Sequence, residues 1–232
     1  MATDPNLPHL VRVVERLGEL ADDLMLVGGA AAGLLVDDPA AAPIRTTEDV
    51  DLVIEAVTYP AYHDFCRKLE ARGLKNAQQP GDPLCRWRDA GIVLDLMPLD
   101  EGVLGFSNRW YAPALQRAER VQLGTSLSIR RIDAAHFLAS KLAAFHSRGE
   151  GDPIMSHDLE DLVVVTEGRL GLVEELRRAD ASLRTFLAEG IADLLQHRHF
   201  AEALQGYFAG SADARDRARA THDRLVLISG RA

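Results

Sequence analysis

Apolar residues recur along this chain with two rhythms, and the point where one of them stops dictates what the chain can fold into. Up to about residue 132, helical stripes alternate with short apolar runs of strand length; beyond it only the helical spacing continues. Leu10, Val11, Val14, Leu17 and Leu20 form one stripe over Leu7 to Leu20. Leu24 to Val27 reads as a short buried strand stopped by Gly28 and Gly29, and Ala30 to Val36 is small and apolar enough to be a helix packed tightly on it. A loop over Asp37 to Pro43 precedes a strand within Thr47 to Ala56, and Tyr62, Phe65, Cys66 and Leu69 predict a helix over Tyr59 to Arg72. Leu84 to Arg88 and Ile92 to Leu99 read as a hairpin around Asp89-Ala90-Gly91, and Leu127 to Ile132 as one more strand. Helices alone follow: Asp133 to Ser147, Ser156 to Thr166, Leu170 to Ala179, Ser182 to His197, and a polar one from Ala212 towards Leu227. The expected architecture is an α/β (α+β) domain over residues 1–126, with a mixed sheet flanked by helices, followed by an all-α domain over 127–232.

Composition narrows the class. At 232 residues, 47% hydrophobic and 26% charged, the chain has the make-up of a globular protein, which excludes disordered and collagen-like classes. The longest weakly charged run, Leu24 to Val36, is far short of the roughly 20 residues that span a bilayer, and the start of the chain has no signal-peptide pattern, so no membrane partner and a cytoplasmic location are expected. Acidic residues exceed basic ones, for a net charge of −9, which argues against binding nucleic acid over the whole surface and leaves a local patch as the only route. Cys66 and Cys85 lack paired CxxC spacing, so buried or incidental thiols are expected.

The residues that look chemical lie on the predicted strands. In Thr47 to Ile54, alternation puts Asp49 and Asp51 on one face and Val50 and Leu52 on the other, in the core. Two neighbouring carboxylates repel unless a cation sits between them, and hard oxygen ligands suit Mg²⁺; a half-exposed acidic strand face is the plainer alternative. Asp95 is the one polar residue in the apolar run Ile92 to Met97, where an unpaired charge would cost several kcal/mol. A shared metal site would satisfy it. So would an arginine across the hairpin, Arg86 or Arg88, or a solvent-open strand end. Gly28 and Gly29 stand at a strand-to-helix turn, where backbone N–H groups and the helix N-terminus can approach a phosphate, or where the turn simply permits close packing. GxGxxG and GxxxxGK[ST] spacings are absent. Lys141 lies on a helix whose Phe137, Leu138, Leu142 and Phe145 make the core face, a place where lysine can snorkel at the edge.

Gly28-Gly29, then Asp49-Val50-Asp51, then Asp95 on a later strand resemble the nucleotidyltransferase superfamily with the DNA polymerase β-like fold. Lys141-Leu142-Ala143-Ala144-Phe145, Arg148 and His157 to Leu162 resemble the later motifs of its AbiEii-like (MenT-type) toxins, over roughly Leu26 to Asp161. The resemblance implies a nucleotidyltransferase core followed by a helical lobe. It implies two Mg²⁺ ions on Asp49, Asp51 and Asp95, and a nucleoside triphosphate with its outgoing phosphates on Gly28 and Gly29. It also implies Lys141, with Arg148, against the triphosphate charge; either Asp158 or Asp161 completing the site; and Asp95 as acceptor of the attacking hydroxyl's proton. The implied role is that of a toxin acting on the 3′ end of transfer RNA, with a cognate antitoxin as partner. A non-catalytic nucleotide-binding protein with the same fold, and a transferase acting on a small molecule of aminoglycoside type, are the alternatives.

Overall fold

The computed structural model describes residues 4–77, 79–147 and 151–230. They divide into two compact units, one of Pro5–Gly33 and Arg45–Asp133, the other of Asp4, Leu34–Ile44 and the described residues from Ala134 on. No helix among the described residues is long and apolar enough to cross a membrane.

The first unit is built on a seven-stranded mixed sheet. Its strands are β1 (Leu24–Leu26), β2 (Val50–Ile54), β3 (Lys75–Asn76), β4 (Arg86–Asp89), β5 (Ile92–Pro98), β6 (Glu119–Gln122) and β7 (Ser128–Arg131), in the order β3-β4-β5-β2-β1-β7-β6. β2 runs parallel to β5 and β1 parallel to β7, while every other neighbouring pair is antiparallel. The central strands read as they fold: all of Leu24–Leu26 is buried, and Val50, Leu52, Leu94 and Leu96 are at most 1% exposed. Around the sheet lie α1 (Leu7–Leu17), the start of α2 (Gly28–Leu35), α3 (Tyr59–Ala71), α4 (Glu101–Leu104) and α5 (Tyr111–Arg117).

α1 buries Leu10, Val13, Val14 and Leu17 and gives way to a 3-10 turn over Gly18–Asp23, so the predicted helix to Leu20 stops three residues early. The residue before it, Asn6, is buried and ties down the approach to β2. Its Nδ2 donates to the Arg45 carbonyl at 2.9 Å, and its Oδ1 accepts from the Thr47 N–H at 2.9 Å. α3 starts at the Thr58 cap, whose Oγ1 accepts from the Ala61 N–H, with Pro60 in the first turn where its missing N–H costs nothing. β3, β6, α4 and α5 are not marked by the apolar pattern of the sequence.

The second unit is helical: α6 (Ala134–Ser147), α7 (His157–Gly168), α8 (Leu172–Arg177), α9 (Ala181–Gln196), α10 (Phe200–Tyr207) and α11 (Ala214–Ser229). Its core is drawn from Phe137, Leu138 and Leu142 of α6, Leu159 and Leu162 of α7, Leu187 and Ile191 of α9 and Leu225 of α11, all at most 1% exposed. α10 is an addition to the helices that the sequence predicts. Residues 34–44 pack into this unit. The N–H groups of Asp37 and Asp38 both donate to the Gly168 carbonyl, the Ala42 N–H donates to Glu167 at 3.0 Å, and Arg169 Nη1 donates to the Leu35 carbonyl at 2.9 Å. A side chain at Gly168 would lie 2.8 Å from both Ala41 Cβ and Val36 Cγ1.

Cys66 and Cys85 are free, buried thiols of the first unit, as expected. Burial raises both, Cys66 to about 11 and Cys85 to about 12 from an ordinary value of 9.0. We predict that neither reacts with iodoacetamide at pH 8 in the folded chain and that both react in urea. Above pH 9.0 the unfolded chain releases these protons while the folded chain keeps them, so their contribution makes stability fall as pH rises through that window. A urea-unfolding series between pH 8 and 10 on wild type and a Cys66→Ala, Cys85→Ala variant measures it: the variant should show the shallower decline.

Candidate active site

β2 and β5 carry the acidic residues to one place. The parallel register sets Asp51 opposite Asp95, and Asp49 is the residue just before β2. Asp49 and Asp51 are half-buried while Val50 and Leu52 fill the core, so the alternation read from the sequence holds. Asp95 is 6% exposed.

Gly28 makes room for Asp51. The chain leaves β1 through Val27, whose N–H donates to the Asp51 carbonyl at 3.0 Å, and turns into α2 with φ +65° at Gly28. A Cβ there would lie 1.8 Å from Asp51 Oδ2 and 2.5 Å from its Cγ. The Asp51 carboxylate therefore lies directly against the start of α2. A residue with a side chain would be excluded both by that contact and by the left-handed backbone.

The cation that satisfies Asp95 comes from the chain itself. Antiparallel pairing of β4 with β5 sets Arg86 opposite Asp95. The Arg86 Nε and Nη2 donate to Asp95 Oδ1 and Oδ2 at 2.9 and 2.8 Å, a bidentate pair, and the same Nη2 donates to Asp49 Oδ2 at 2.5 Å. Asp49 Oδ1 accepts from Thr47 Oγ1 at 2.9 Å. The hydrogen bonds to Asp95 raise the Arg86 pKa, so the guanidinium stays charged. Of the ways to satisfy Asp95 raised by the sequence, the arginine pair is the one formed. The choice between Arg86 and Arg88 follows from the turn: with Ala90-Gly91 as the two-residue loop, Asp89 faces Ile92, Arg88 faces Val93 and Arg86 faces Asp95. The turn read from the sequence, Asp89-Ala90-Gly91, is one residue longer, and with it Arg86 would face Leu94 instead.

Among the described residues, no group of three or more His, Cys, Asp or Glu side chains is arranged to hold a metal ion. The donor type nevertheless suits a hard divalent cation: Asp49, Asp51 and Asp95 carry carboxylate oxygens on adjoining backbone, and Nη2 of Arg86 stands where oxygens of Asp49 and Asp95 converge.

In the helical unit, Lys141 pairs with both candidate aspartates. Its Nζ lies 3.1 Å from Asp158 Oδ1 and 2.7 Å from Asp161 Oδ2, with the three residues 7%, 6% and 3% exposed. The spacing of three on α7 brings both carboxylates to one ammonium, so the helix does not choose between them. Lys141 is buried rather than snorkelling at the edge. His157 is exposed and bonds Glu160, and Arg148 lies outside the described residues.

The chain matches no protein-family model and no curated protein sequence. Its backbone does match solved structures. JHP933 from Helicobacter pylori superposes with a TM-score of 0.52 at 14% identity, over 100% of this chain and 94% of that one. An H. pylori protein solved as a "putative nucleotidyltransferase" gives a TM-score of 0.51 at 14% identity, over 100% and 96%. An antigenic nucleotidyltransferase-like protein from Paracoccidioides brasiliensis gives 0.49 at 23% identity, over 88% and 93%. The fold is nucleotidyltransferase-like.

Proposed function

We propose that this chain is a metal-dependent nucleotidyltransferase that moves a nucleoside monophosphate from a nucleoside triphosphate to an acceptor hydroxyl. The observation that carries the reading is that Asp49 just before β2, Asp51 on β2 and Asp95 on β5 come together, with Asp51 set against the Gly28 start of α2. Those three aspartates would hold Mg²⁺, which when bound supplies positive charge to the triphosphate and to the oxygen that attacks it. Gly28 and Gly29 face the outgoing phosphates with backbone rather than side chains, and Asp95 takes the proton of the attacking hydroxyl. That oxygen bonds to the α-phosphorus, the bond to the bridging oxygen breaks, and pyrophosphate leaves. Following the resemblance, the acceptor is the 3′ end of transfer RNA and the chain is a toxin held in check by an antitoxin. Lys141, Arg148, Asp158 and Asp161 enter the proposal on that resemblance alone.

A transfer assay with each α-labelled nucleoside triphosphate, Mg²⁺ and total cellular RNA and protein tests it. Label on transfer RNA with wild type, falling by about 10²- to 10³-fold in Asp49→Asn and Asp95→Asn, is the expected result. Full labelling by those variants would overturn it.

Arg86 favours a second reading, nucleotide binding without catalysis, because it already occupies two of the three carboxylates. That reading requires calorimetric binding of ATP or GTP with no pyrophosphate released in the presence of any acceptor, aminoglycosides included.

A further inference from the structure

We infer that the Asp49–Asp95 pair is a cation-exchange site, in which Arg86 is the resident cation and a divalent metal binds only by turning its guanidinium out. The inference rests on the metal-dependent reading above and adds a positioning residue to it. A metal taking Asp49 Oδ2 and Asp95 Oδ2 together needs the point that Arg86 Nη2 fills, 2.5 and 2.8 Å from those oxygens. Two cations cannot share it, since at such distances their repulsion exceeds what the screened surroundings of a half-buried site remove.

The exchange is confined to a side chain. Arg86 is held by its backbone on both sides: its N–H donates to the Pro83 carbonyl at 3.0 Å, and its own carbonyl accepts from the Ala77 N–H at 2.8 Å and from Asn76 Nδ2 at 3.2 Å. The guanidinium end is different. The Arg86 side chain keeps 21% of its surface exposed, against 28% for Asp49 and 9% for Asp95, so it has a solvent side to turn towards while Asp95 stays buried on β5. When it turns, Asp95 loses a bidentate partner and would be left buried and charged, which is unfavourable unless another cation arrives in the same step. Release of Arg86 and capture of the metal are therefore linked, and apparent metal affinity is reduced by the fraction of molecules in which the arginine is seated.

Mn²⁺ alone, followed by the loss of its free-ion paramagnetic resonance signal, is the probe, on the full chain as wild type, Arg86→Gln, Arg86→Lys and Asp49→Asn, each checked for folding by circular dichroism. Arg86→Gln should bind at least about tenfold tighter than wild type, because no resident charge competes. Arg86→Lys, which keeps the charge but loses the fork that grips Asp95 by two bonds, should fall between them, and it carries the test should the glutamine variant not fold. Equal or weaker binding in both variants, abolished by Asp49→Asn, would overturn the exchange and leave the metal-dependent reading standing. No Mn²⁺ binding by any variant would overturn both.

Discussion

Lys141→Met should lower stability by about 3–5 kcal/mol. The methionine matches the lysine stem in length and suits the apolar surroundings, so little of the effect is packing. The loss arises because Asp158 and Asp161, at 6% and 3% exposure, are left with no ammonium at 3.1 and 2.7 Å. A charge-balanced variant separates this cause from a cavity or a clash: Lys141→Met with Asp158→Asn and Asp161→Asn removes all three charges and should recover most of the lost stability, since an ion group replaced as a whole by neutral groups costs little. Asp158→Asn alone leaves one lysine to one carboxylate and should be mild. Urea-unfolding midpoints of the four proteins give the comparison. A triple variant no more stable than Lys141→Met would show that the triad does not set the cost.

Gly28→Ala should reduce stability by about 2–5 kcal/mol and abolish the proposed transfer, from a single added methyl group. Part of the cost is the left-handed backbone, φ +65°, which an L side chain adopts at a penalty. The rest is the approach of 1.8 Å to Asp51 Oδ2, which no rotamer of an alanine relieves. Either the start of α2 or the Asp51 carboxylate must move, and both belong to the proposed site. A Gly29→Ala control, differential scanning calorimetry and the transfer assay together test it. Wild-type activity in a stably folded Gly28→Ala chain would mean that the contact between Asp51 and α2 is dispensable.

Much of the acidic site is legible in the order of residues alone. Asp95, the one polar residue from Ile92 to Met97, has to find a cation, and the period-2 alternation around Val50 puts Asp49 and Asp51 on one face. Which cation it finds is a question of register, set by a two-residue turn that composition does not rank. The helical half is legible where its apolar spacing is regular, as in α6, α7 and α9. It is not where the elements are short or edge-placed: Glu119–Gln122 forms the last strand of the sheet with an almost wholly exposed face, and its residues carry no hydrophobic pattern to read. Residues 34–44 read, and fold, as the end of a small helix and a loop. Their place among the helices is hidden from the sequence, because it depends on a missing side chain at Gly168 and on hydrogen bonds with residues more than a hundred positions away.

That interleaving bears on how such a chain is made and inherited. During synthesis Leu34–Ile44 leaves the ribosome long before Gly168 and Arg169, so one strip of the helical unit waits for these contacts while the six strands that follow it are still being made. A gene fragment that began at Ala134 would encode every long helix of that unit yet lack the backbone donors that answer the Gly168 carbonyl, and the surface beside Gly168 would stand open to water. The two units are therefore parts of one inheritable piece: recombination at a single point cannot exchange either of them whole.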